Sequence, residues 1–131
     1  MAEPVILFVD DDAALREANV QTLELAGIAV QPFASAQAAL SAIRPDFAGA
    51  VVTDIRMPGM DGLQFFDRIR AIDTEIPVIL ITGHGDVPMA VRALQDGAFD
   101  FLAKPFAAGH LAASASKALA ARALVLDNRR L

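Results

Sequence analysis

Apolar residues along the chain follow two alternating spacings. Short, largely apolar runs at Pro4–Val9, Ile28–Phe33, Ala48–Thr53, Pro77–Ile81 and Ala98–Ala103 have the length and apolar character of buried strands. Between them, apolar residues recur three or four apart. That spacing predicts helices over Ala13–Ala26, Ala36–Ile43, Leu63–Ile72 and Val87–Gln95, and a last one from Ala107 onward. The punctuation agrees with this division. Gly27 and Gly97 act as stops, Ser35 and Asp86 stand at cap positions, and Pro45 lies just past the second helix. Pro88 falls in a first turn, where the missing N–H does no harm.

Five strands alternating with five helices predict an α/β domain with a parallel sheet covered on both faces. At 131 residues the chain suits one compact domain, and the flavodoxin-like strand order 2-1-3-4-5 is expected. Folds of that type bind ligands beyond the C-terminal strand ends, at the switch between the first and third strands.

Composition removes several function classes. Cysteine is absent, which excludes disulfides, thiolate zinc sites and cysteine nucleophiles. The longest bulky apolar run, Val5–Val9, is far below the roughly 20 residues of a membrane span. Glu3 and Pro4 near the start are unlike a basic leader, so a cytoplasmic location is expected. A net charge of −5 argues against direct contact with nucleic acid. Residues 1–103 hold 15 acidic and 6 basic side chains, whereas residues 104–131 hold 1 and 5. An acidic body with a cationic last segment suits a cation site and a helix end that favours positive charge.

The strand ends carry the chemistry. The first strand runs into Asp10, Asp11 and Asp12, the third into Asp54, the fourth into Thr82, and the fifth into Lys104 and Pro105. The expected topology gathers all of these on one edge of the sheet. Carboxylates that converge repel one another unless a cation or a raised pKa relieves them. Oxygen ligands few in number suit Mg²⁺, which keeps several waters and shares phosphate oxygens. An aspartate beside such an ion can attack phosphorus, a lysine can neutralise the developing charge, and a threonine hydroxyl can hydrogen-bond the phosphoryl group. Singly, each aspartate also suits a cap or turn, Asp12 above all. His84 and His110 are too far apart for a helical metal pair and read as loop or surface groups.

These residues match a known pattern. Val9-Asp10-Asp11-Asp12 with Arg16, the block from Thr53 to Gly62, Thr82-Gly83, and the segment from Phe99 to Phe106 resemble the receiver domain of bacterial two-component response regulators over nearly the whole chain. The resemblance implies that Asp54 is the phosphoacceptor, served by a sensor histidine kinase. It implies Mg²⁺ on Asp11, Asp54 and the backbone carbonyl of Arg56, with Asp10 acting through water. Lys104 would pair with the phosphoryl group and Thr82 would sense it. Phe101 stands where many receivers have Tyr, so the switch has no hydroxyl at that position. The stretch Thr82 to Leu94 and the ending Leu126 to Leu131 resemble, more narrowly, the NtrC-like activators of sigma-54 polymerase, and among them regulators of C4-dicarboxylate transport.

That resemblance implies a regulatory protein rather than a turnover enzyme. Residues 1–121 would form the receiver, and 122–131 would end the last helix and begin a linker. ATPase and DNA-binding effector domains are expected beyond residue 131. Leu124, Leu126 and Leu131 suggest a homodimer through the last helix, although Arg122 and Arg129 interrupt a regular seam. Two other readings compete. A haloacid-dehalogenase-like aspartyl phosphatase would have a second aspartate where Arg56 stands, and a degenerate receiver would have lost its carboxylates. A flavodoxin is disfavoured because three aspartates after the first strand would repel a flavin phosphate.

Overall fold

In the computed structural model, which describes residues 3–131, the apolar runs form the strands of one parallel sheet. The elements in chain order are β1 (Val5–Val9), α1 (Ala13–Leu25), β2 (Val30–Phe33), α2 (Ala36–Leu40), β3 (Gly49–Asp54) and α3 (Gly62–Ile72). They continue with β4 (Val78–Thr82), α4 (Val87–Gln95), β5 (Asp100–Ala103) and α5 (Ala108–Arg129). The sheet order is β2-β1-β3-β4-β5, as the alternation predicts. The middle strands are buried end to end because helices cover both faces.

Two apolar layers lie on either side of the sheet. Leu7, Val9, Val51 and Leu80 face α2, α3 and α4, meeting Ala39, Phe65, Ile69 and Ala90. Ile6, Phe8, Val52 and Ile81 point the other way, toward Leu23 of α1 and Leu111, Ala115 and Ala118 of α5. Alternate residues of each strand thus feed opposite layers, as the pleat requires.

Most boundaries follow local chemistry. Asp12 accepts the Leu15 N–H at 3.0 Å and caps α1. Asp61 and Gln64 form a reciprocal capping box at the start of α3. Gly27, at φ 81°, closes α1 in a conformation that glycine adopts without strain. Four expectations need correction. Helix α2 stops at Leu40 rather than Ile43, where the Ser41 hydroxyl turns back onto the Ala38 carbonyl at 2.7 Å. Strands β2 and β5 begin at Val30 and Asp100, each two residues late. Asp86 precedes α4 but makes no side-chain cap bond.

Helix α5 extends for 22 residues, and its last turns are tied to the body of the domain. Arg122, expected beside an exposed leucine seam, is buried. It donates Nε to the Phe47 carbonyl at 2.8 Å and Nη2 to Asp73 Oδ2 at 2.9 Å. Arg129, two turns on, donates to both oxygens of Asp73, and to Asp46 and Glu75. Leu126 is half-buried, whereas Leu124 and Leu131 are exposed.

Candidate functional site

Strand register assembles the site. Val9 pairs with Thr53, so Asp10 and Asp54, one residue further along each strand, lie side by side. Asp54 pairs with Ile81, and Thr82 with Ala103, which brings Thr82 and Lys104 to the same edge. Asp10, Asp54 and Thr82 are all buried, and Asp11 is exposed at the rim.

Each carboxylate is held from behind by backbone. Asp10 Oδ1 accepts the Asp12 N–H at 3.0 Å, and Asp54 Oδ1 accepts the Arg56 N–H at 3.1 Å. The cap-or-turn role open to each of them therefore coexists with membership of the cluster. Asp54 Oδ2 receives the Lys104 ammonium at 2.8 Å. Arg16 Nη1 donates to the Asp10 carbonyl at 2.7 Å and fixes the turn from β1 into α1. The remaining oxygen, Asp10 Oδ2, is buried without a hydrogen-bond partner.

The electrostatics reflect this crowding. Burial, with the charges of Asp54 and Asp11, raises the Asp10 pKa above the ordinary carboxylate value, against the Asp12 N–H and Lys104. Burial also works against the Lys104 charge, but the Asp54 hydrogen bond and the charges of Asp54, Asp10 and Asp12 outweigh it, and its pKa is raised. Among the described residues no three carboxylate or imidazole groups converge closely enough to enclose an ion alone. The donor set instead suits an ion that keeps much of its own water, and one buried Asp10 oxygen is left without a protein partner.

Thr82 and Phe101 occupy the expected strand positions. The Thr82 hydroxyl donates to the neighbouring Gly83 carbonyl at 3.0 Å. Phe101 packs, partly buried, against the layer that includes Ala90 and Ala93 of α4. The Lys104–Pro105 peptide bond is cis. His110 is exposed at the start of α5, while the His84 side chain lies outside the described residues.

Two contacts were not foreseen from spacing. Arg56 forms a fork on Asp86, with Nη2 on Oδ1 at 2.7 Å and Nε on Oδ2 at 2.9 Å. Ser114 of α5 donates to Asp100 Oδ2 at 2.7 Å and pins that helix to β5. The partners lie 30 and 14 residues apart, and neither separation follows a local period.

Residues 6–116 match the response regulator receiver domain family. The chain is a response regulator receiver domain. Its relatives include the C4-dicarboxylate transport transcriptional regulatory protein DctD of Rhizobium meliloti (strain 1021), at 58% identity over 99% of this receiver and 28% of that protein. DctD of Pseudomonas aeruginosa is 49% identical over the same shares. Among solved structures, the response regulator StyR superposes with a TM-score of 0.90 at 40% identity, over 98% of this receiver and 65% of that chain. The receiver thus spans about a quarter of the length of the DctD proteins it matches. No helix among the described residues is long and apolar enough to cross a membrane.

Proposed function

We propose that Asp54 is the phosphoacceptor of a regulator that switches transcription of C4-dicarboxylate transport genes, as the names of the DctD relatives suggest. The observation that carries this reading is the position of Asp54. It ends the central strand, nearly buried, with Lys104 on one oxygen and the partnerless Asp10 oxygen in the same cluster. A carboxylate oxygen of Asp54 attacks phosphorus on a phosphohistidine of a sensor kinase. The phosphorus–nitrogen bond breaks, the imidazole leaves with the electron pair and takes up a proton, and an acyl phosphate remains on Asp54.

Mg²⁺ would be held by Asp11, Asp54 and the Arg56 carbonyl, with Asp10 reached through water. Once bound it supplies charge neutralisation for the phosphoryl oxygens. Lys104 serves the same charge from the other side by moving its ammonium from the Asp54 carboxylate to the new group. Thr82 turns its hydroxyl from Gly83 to the phosphoryl group, and the Phe101 ring follows into the space released. The role is regulatory. The phosphatase alternative needs an acid/base carboxylate two residues after Asp54, and Arg56 stands there, tied to Asp86.

The receiver is proposed to span residues 1–121, with 122–131 ending the last helix and beginning a linker that Arg122 and Arg129 tie to the domain. Exposed Leu124 of α5 and Leu131, seven residues on and just past the helix end, are proposed as the contact of a homodimer. Sigma-54-directed ATPase and DNA-binding domains are proposed to follow residue 131. Sedimentation of this chain and of its Leu124→Asp variant tests the dimer, which is refuted if both run as monomers at tens of micromolar. Intact mass after acetyl phosphate and Mg²⁺ tests the main reading. One phosphoryl group is expected on the native chain and none on Asp54→Asn. Equal labelling of both would assign the chemistry elsewhere.

A further inference from the structure

Asp86 stands where α4 calls for a capping side chain, yet its carboxylate accepts no bond from that helix. Its backbone, at φ −108° and ψ 0°, also departs from the extended conformation of Asp12 and Asp61, the working caps of α1 and α3. The first turn of α4 is therefore left without a side-chain cap. The carboxylate points back to Arg56 instead and takes three hydrogen bonds from its guanidinium, at 2.7, 2.9 and 3.2 Å. Its side chain is only 5% exposed, against 75% for Arg56. The same Arg56 donates its backbone N–H to Asp54 Oδ1. One residue thus joins the acceptor carboxylate to the start of α4.

We propose that Asp86 is a two-position switch. It is forked to Arg56 while Asp54 is a free carboxylate, and it caps α4 through the Met89 N–H once a phosphoryl group on Asp54 draws Arg56 away. The proposal rests on Asp54 being the phosphoacceptor. A phosphoryl group adds negative charge and further acceptor oxygens next to the Arg56 backbone, and a guanidinium binds such oxygens well. Arg56 is exposed enough to turn toward them. Asp86 is then a nearly buried carboxylate without its cation, a state that is strongly unfavourable. The uncapped Met89 N–H of α4, three residues away, offers it a replacement donor, whereas Pro88, two residues away, has no N–H to give.

The path between the two states is sterically open. Capping requires ψ of Asp86 to leave 0° for the extended region, which opens the single 3-10 turn His84–Asp86 and its Asp86 N–H bond to the Gly83 carbonyl. Gly83 precedes that turn and Gly85 lies within it, and neither has a neighbour within van der Waals reach of an added Cβ. One set of hydrogen bonds is exchanged for another, so a modest change of charge at Asp54 is enough to shift the balance.

The test uses the 131-residue chain and compares Asp86→Asn with Asp86→Ala. Asparagine caps a helix about as well as aspartate but cannot form the ion pair, and alanine does neither. On adding Mg²⁺ and beryllofluoride to the native chain, exchange of the Met89 amide should slow roughly fivefold, the effect of a typical cap, and the Arg56 Nε–H resonance should move. Asp86→Asn should show the slowed Met89 amide before any addition, and Asp86→Ala should show it in neither condition. Unchanged Met89 exchange in the loaded native chain, or equal protection in the two variants, overturns the switch. Failure of the native chain to gain a phosphoryl group from acetyl phosphate with Mg²⁺ overturns the assignment of Asp54 instead.

Discussion

Arg122 and Asp73 form an ion pair at 2.9 Å with both side chains almost fully buried, 49 residues apart in sequence. Asp73 ends α3, and Arg122 lies in the second half of α5. The carboxylate also accepts the backbone N–H groups of Asp46 and Glu75 and two bonds from Arg129. One aspartate therefore ties the end of α3, the two neighbouring loops and the last turns of α5 together at the edge of the sheet opposite Asp54.

Removing Asp73 strands a fully buried guanidinium, whereas removing Arg122 leaves Asp73 paired with Arg129. Arg122→Ala should lower stability by about 2–3 kcal/mol, the loss of hydrogen bonds to a charged group. Asp73→Asn should act in the same direction, and the double variant should lose less than the sum of the two. Urea midpoints on the four proteins measure the coupling. Strict additivity would show that the pair is not an energetic unit.

The same aspartate sets an acid limit on stability. Arg129, ahead of Arg122 and the backbone donors and against the effect of burial, holds the Asp73 carboxyl far below the ordinary carboxylate range. A depressed folded-state pKa contributes stability above the unfolded value of 3.8, and that contribution fades as pH falls from there toward the folded value. The urea midpoint should fall steeply below about pH 4. Asp73→Asn should start lower at neutral pH and show a shallower acid limb. Parallel curves for both proteins would remove Asp73 from the account.

The acidic cluster should oppose stability in the absence of metal and serve function in its presence. Asp10→Asn removes a buried, repelled charge, so the metal-free protein should become more stable. In return it should lose Mg²⁺ binding and phosphorylation together. At Mg²⁺ of about a hundred times its dissociation constant, the native chain should gain about 2.7 kcal/mol. The variant should gain little. Thermal melts with and without Mg²⁺ check both halves, and equal metal stabilisation of the two proteins would contradict the role of Asp10.

Gly62 is required by close packing rather than by backbone conformation. A Cβ there would press into the Asp54 carbonyl oxygen and approach the Ile55 Cα to 2.8 Å. Both are backbone atoms, which do not swing aside as a flexible side chain would. Gly62→Ala should cost roughly 1–3 kcal/mol, as overpacking does, and should slow phosphorylation by displacing the loop that carries Arg56. Gly59→Ala offers a control with another origin, because its constraint is a φ of 74° in open space. That variant should be destabilised without a comparable change in phosphorylation rate.

Sheet order, the convergence of Asp10, Asp54, Thr82 and Lys104, and the extent of α4 were legible in the sequence. All of these follow from local periodicity combined with a connection rule that leaves few ways to stack parallel strands. A residue at the end of a strand is located as soon as the strand order is known. The short α2 and the late start of β5 were less legible, because apolar residues continue past the point where backbone pairing stops.

The rest was decided by tertiary structure. In sequence, Asp86 is an ordinary cap candidate. Only the approach of the Arg56 loop to the start of α4 turns its carboxylate away from the helix. Arg122 and Arg129 read as charges beside a leucine seam, and α5 in isolation has no reason to bury either. They turn inward because Asp73, brought there by α3, supplies one carboxylate that both can reach. Periodicity records which face of an element is apolar. It carries no information about which charged groups from distant elements meet at the edges of that face, since such pairs depend on distances that exist only after the layers have packed.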